Sequence, residues 1–80
     1  MNALELLELT TKVLTEVERA MYKGVSRFEF LEGEALFVQF DSELCQSEME
    51  DLGERLAEVN LDAHFSFDRN SMKTNMFVGF

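Results

Sequence analysis

From Asn2 to about Lys23 the apolar residues recur every three or four positions, and from Ser26 onward the period drops to two. Leu4, Leu7, Thr11, Leu14, Glu18 and Met21 fall near one line of a helix, and Leu6, Val13, Val17 and Ala20 widen that arc on one side. The opposite side carries Glu5, Glu8, Lys12, Glu16, Arg19 and Lys23, with Glu8 and Lys12 at i,i+4 spacing. The pattern predicts a first helix, capped by Asn2 with Glu5 three residues on and stopped by Gly24. Ser26, Phe28 and Phe30 then alternate with Arg27, Glu29 and Leu31. After Glu32-Gly33-Glu34, Leu36, Val38 and Phe40 alternate with Ala35, Phe37 and Gln39. That is the signature of a β-hairpin.

The same order follows again. Cys45, Met49, Leu52, Leu56 and Val59 form a helical stripe ending at Asn60. Its start is open between Asp41 or Ser42 as a cap and a later capping box of Ser47 with Glu50. Leu61, Ala63, Phe65 and Phe67 alternate with Asp62, His64 and Ser66. Asp68-Arg69-Asn70-Ser71 supplies a turn, and residues Asn75 to Phe80 return.

The two halves match. Phe28-Glu29-Phe30 resembles Phe65-Ser66-Phe67 at an offset of 37 residues, and Leu36-Phe37-Val38-Gln39-Phe40 resembles Met76-Phe77-Val78-Gly79-Phe80 at an offset of 40. Either a pseudo-repeat or the commonness of alternating phenylalanine in strands accounts for this. In both cases the expected fold is α+β in the order α-β-β-α-β-β. Its four-stranded, mostly antiparallel sheet would carry both helices on one face. Residues 1–80 are expected to form one domain of two helix–hairpin units, 1–41 and 42–80, since eighty residues leave no room for a second core. Phe28, Phe30, Phe40, Phe65, Phe67 and Phe80 would face the helices.

Composition narrows the chemistry. There is no apolar run of membrane-spanning length and no basic, signal-like start, and Cys45 is the only cysteine, so no internal disulfide can form. A cytoplasmic protein is expected. The net charge of −9 disfavours direct contact with nucleic acid or an anionic membrane and favours a basic partner.

Much of that charge is concentrated. Between Asp41 and Asp62 eight acids accompany a single base, Arg55. On a wheel of about 100° per residue, Glu43, Glu50, Asp51, Glu54 and Glu58 fall in one wedge opposite the apolar stripe, provided the helix reaches back to Glu43. Like charges at i,i+4 cost about 0.2–0.5 kcal/mol per pair, a cost the first helix avoids by mixing signs. The wedge reads as a partner-binding ridge or as a solvated face that keeps a small domain soluble. A second candidate surface is the open side of the sheet, where Phe37, His64 and Phe77 would lie with Leu31, Ala35, Arg27, Glu29, Gln39, Asp62 and Ser66.

Catalytic chemistry finds little footing. His64 has no nucleophile beside it, and Cys45 on the apolar stripe reads as a buried structural thiol. One histidine and one cysteine do not make a zinc site, no calcium-loop pattern occurs, and the four glycines are isolated, so no metal or cofactor is expected. Paired carboxylates for glycoside cleavage would need a cleft that so small a domain scarcely offers. Gly53 within the second helix is either a close-packing site or a tolerated weakness.

Small size, acidity, compact α/β make-up and the absence of a catalytic motif together resemble the small phage-encoded anti-CRISPR proteins. That resemblance spans the chain in general character. It implies a non-enzymatic inhibitor in a bacterial host's cytoplasm, whose helix 2 acids meet lysines and arginines lining the DNA-binding channel of a CRISPR effector complex. The Phe37 and Phe77 surface departs from a purely electrostatic mimic. The alternative is a structural or adaptor domain that self-associates through its open sheet face as a homodimer.

Overall fold

The computed structural model describes residues 3–21, 24–31 and 35–80. Two helices and four strands follow in the order α1 (Ala3–Met21), β1 (Val25–Leu31), β2 (Ala35–Phe40), α2 (Gln46–Glu58), β3 (Asp62–Asp68) and β4 (Lys73–Gly79). The strands form one antiparallel sheet in the order β1-β2-β4-β3. This is the expected α+β arrangement. The cap expected at Asn2, the helix end at Lys23 and the turn Glu32-Gly33-Glu34 lie outside the described residues.

The two central strands are buried on one side only. Leu36, Val38 and Phe40 of β2 and Thr74, Met76 and Val78 of β4 are at most 2% exposed, while their alternate neighbours are only half-buried. Period-two alternation thus puts one face of the sheet against the helices. The core is completed by Leu6, Val13, Leu14 and Val17 of α1, Leu52 and Leu56 of α2, and Leu44 and Leu61 beside α2.

The buried line of α1 runs Leu6, Thr10, Val13, Leu14 and Val17: Leu14 keeps its expected place, Leu6, Val13 and Val17 of the widened arc move to the centre, and Leu4, Leu7 and Thr11 fall to the margin. Leu4 is 62% exposed, and Thr11 is exposed as well. The apolar arc of α1 is broad enough to admit either centre. Contact with the sheet and α2 selects the one that buries the β-branched Val13 and Val17.

The repeat is obeyed by the central strands and slips in the outer ones. Phe37 lies directly opposite Phe77, Leu36 opposite Val78 and Val38 opposite Met76, so a local two-fold axis passes between β2 and β4. The outer strands do not follow the offset of 37. Glu29 pairs with Phe37 and His64 with Phe77, which makes Phe30 equivalent to Phe65 rather than to Phe67. The difference is two residues, and a shift of two leaves every side chain on its own face. All six phenylalanines expected on the helix side keep that parity. Four of them are nevertheless not covered: Phe28, Phe30, Phe67 and Phe80 are 40–50% exposed. The helix layer covers the inner faces of the central strands and reaches Val25 of β1 and Ala63 and Phe65 of β3, which pack on the core, but leaves these four rings partly in solvent.

Helix α2 begins one residue after Cys45, which is its N-cap and is exposed. The Cys45 N–H donates to the Glu48 carboxylate at 2.9 Å, and Cys45 Sγ lies 3.1 Å from Ser47 Oγ. Cys45 is therefore not the buried thiol expected from the stripe. Leu44 takes the interior place at 2% exposure, because its N–H is drawn inward to donate to Thr74 Oγ1 at 2.9 Å. At its other end α2 closes with Asn60 in the left-handed region (φ 63°). The Leu61 N–H donates to the Leu56 carbonyl and the Asn60 N–H to that of Ala57, both at 3.0 Å. This Schellman closure sets Leu61 against Leu56 in the core.

Candidate functional site

The acidic wedge survives in part. Glu50, Glu54 and Glu58 are exposed on α2, and at about 6 Å per four residues they step along the helix axis. Glu43 does not join them. It sits in the connector before Cys45, since the helix does not reach back that far. Asp51 is half-buried and accepts from Arg55 Nε at 3.0 Å.

Arg55 is what sharpens this surface. Its Nη1 also lies 3.8 Å from Glu16 of α1, so the one base of α2 spans the seam between the helices. A shallow groove of about 220 Å³ runs along that seam, lined by Leu9, Lys12, Val13, Glu16, Arg55, Glu58 and Val59. The guanidinium is thereby committed to Asp51 and Glu16. On the outer line, Glu50 accepts from Gln46 Nε2 at 3.1 Å, a neutral donor that leaves the carboxylate charge uncompensated.

The open face of the sheet brings together what the alternation expected. One cross-strand row reads Glu29, Phe37, Phe77, His64, and the next reads Arg27, Gln39, Asn75, Ser66. The Phe37 and Phe77 rings stand 5.3 Å apart at a 53° tilt, a favourable aromatic geometry. Arg27 places its guanidinium 5.8 Å from the Phe37 ring centre and pairs with Glu29. Gln39 Nε2 donates to Asn75 Oδ1 at 3.1 Å across the same two central strands. Phe37 and Phe77 are half-buried, and His64 is exposed on the edge strand β3.

A third feature was not anticipated. Glu43, Leu44, Met49, Phe65, Ser66, Phe67 and Thr74 line an apolar depression of about 250 Å³ between the start of α2 and the β3–β4 hairpin. The signal lay in Met49, Phe65 and Phe67, each read as core. At the tip of that hairpin Asp68 accepts from the Ser71 hydroxyl and the Asn70 N–H, both at 2.9 Å. These bonds hold its carboxyl below the usual carboxylate range.

Among the described residues, no group of three or more His, Cys, Asp or Glu is placed to hold a metal ion, and no helix is long and apolar enough to cross a membrane. No protein-family model matches the chain, and no curated protein matches it significantly.

Proposed function

We propose that this chain is a non-enzymatic binding protein that sets the acidic outer face of α2 into a basic, nucleic-acid-binding groove of a partner protein and so inhibits it. The observation that carries this reading is the commitment of Arg55. A surface helix usually intersperses its charges, as α1 does with Glu8, Lys12 and Glu16. In α2 the only base is drawn aside to Asp51 and Glu16, and Glu50, Glu54 and Glu58 share an outer line of one sign. Such a line attracts lysine and arginine at long range and raises association rates with a cationic groove. The resemblance to anti-CRISPR proteins supplies the partner class, the DNA-binding channel of a CRISPR effector complex in the bacterial cytoplasm.

The test is capture of partners from a bacterial lysate by the full chain, followed by competition against DNA with the protein captured. Wild type is expected to retain a nucleic-acid-binding protein, to release it as salt rises, and to displace its DNA. The Glu50→Lys, Glu54→Lys, Glu58→Lys triple variant should keep its circular-dichroism spectrum and lose capture. Undiminished capture by that variant overturns the reading.

A further inference from the structure

We infer that the open sheet face is a self-complementary surface that pairs with a second copy of this chain, the two-fold axis running along the strands between β2 and β4. The inference is independent of the acidic-helix reading, whose surface lies on the far side of the sheet. It starts from the cross-strand row Glu29, Phe37, Phe77, His64. An axis parallel to the strands and in the plane between two facing sheets lays β1 of one copy over β3 of the other. It lays β2 over β4 in the same way. Phe37 then meets Phe77 of the second copy, and Glu29 meets His64, each contact occurring twice. An axis across the strands would instead set Glu29 on Glu29, which like-charge repulsion disfavours.

Two features fit a second copy, and a third sets how tightly it would bind. The first is charge. The acids of α2 project from the helix layer, whereas the open face is nearly balanced, with Arg27 and Lys73 among Glu29, Asp62 and Asp68. Two strongly acidic chains repel least when they meet by this face and keep their helices outermost. The second is polarity match. The imidazole of His64 has an N–H to donate whether or not it is charged, and the Glu29 carboxylate accepts. The roughly 30° rotation of aligned sheets displaces the outer strands by about one residue, which these long side chains can span. The third is area. Four strands about 4.8 Å apart and seven residues of about 3.3 Å each cover roughly 450 Å² per copy. Two such faces bury just under the ~1,000 Å² of the smallest specific interfaces. The expected dimer is accordingly weak and concentration-dependent.

Sedimentation of the full chain from low micromolar to millimolar concentration tests this. Wild type should pass from monomer to dimer, and Phe37→Glu should remain monomeric. Because that substitution disturbs a central strand, a charge swap on the exposed edge positions supplies the second arm. His64→Glu sets two carboxylates face to face and should weaken dimerisation several-fold, and adding Glu29→Lys to it should restore the wild-type constant. A wild type that stays monomeric at millimolar concentration overturns the inference. So does a dimer that the double variant fails to restore, which would mean another axis or another face.

Discussion

Phe37 and Phe77 face each other across a local two-fold axis, but the helices laid over the two hairpins are not alike. α1 mixes its charges and presents a broad apolar arc. α2 is shorter, buries the narrower set Leu52 and Leu56 with Met49 beside them, and carries five acids against Arg55. The two buried threonines differ as well. Thr74 of β4 accepts the Leu44 N–H, whereas Thr10 of α1 has no hydrogen-bond partner for its hydroxyl among the described residues. Strand pairing tolerates a repeat because cross-strand neighbours demand like shapes at like places. Helix surfaces are free to diverge because only one stripe of each is constrained.

The largest effect should come from asking whether the halves can stand apart. Leu6→Ala in α1 and Leu56→Ala in α2 each empty a fully buried site and should each cost about 2–5 kcal/mol. Both helices share one core, so thermal melts of both variants should show a single transition shifted far down. A melt in which one half survives would make the units independent. The threonines come next and should move in opposite directions. Thr74→Val strands the Leu44 N–H in the interior and should cost about 1–3 kcal/mol, while Thr10→Val removes an unpaired buried hydroxyl and should gain up to a similar amount. Urea unfolding midpoints give both signs.

Smaller changes probe the helices themselves. A Cβ built on Gly53 meets nothing within 4 Å, so this glycine is a weakness rather than a packing device. Gly53→Ala should stabilise α2 by about 0.8–1 kcal/mol. Glu54→Gln relieves two i,i+4 repulsions at about 0.2–0.5 kcal/mol each, whereas Glu8→Gln removes an attractive spacing of the same size from α1. Both effects should shrink in high salt. The slightest contrast is in the turns. The depressed Asp68 carboxyl adds stability that is full above the ordinary carboxylate value, and that is lost as pH falls through its lower folded value. Asp68→Asn should flatten that acid limb of the stability profile.

Much of this was legible in one dimension. Period-two alternation assigned Phe28, Phe30, Leu36, Val38, Phe65 and Met76 to one sheet face and Phe37, His64 and Phe77 to the other. It did so even where the outer strands were aligned two residues out of register, because parity survives a shift of two. Helix periodicity located α2 and its outward acids Glu50, Glu54 and Glu58. Charge counting found their excess but not its relief, since nothing in the sequence says where Arg55 points.

What only the tertiary structure decided are the choices between near-equal local options. Cys45 or Leu44 could have taken the interior place at the head of α2, and the Leu44 N–H bonded to Thr74, a residue thirty positions away, selected leucine. Glu43 left the acidic line for the same reason. The broad arc of α1 could have turned by about one residue either way until the sheet and α2 selected Leu6, Thr10, Val13 and Val17. Hydrophobic period and turn chemistry are local and survive in the sequence. Helix rotation, helix start and the partner of a long arginine depend on surfaces brought together by folding, and only there was the one base of α2 turned to Asp51 and Glu16.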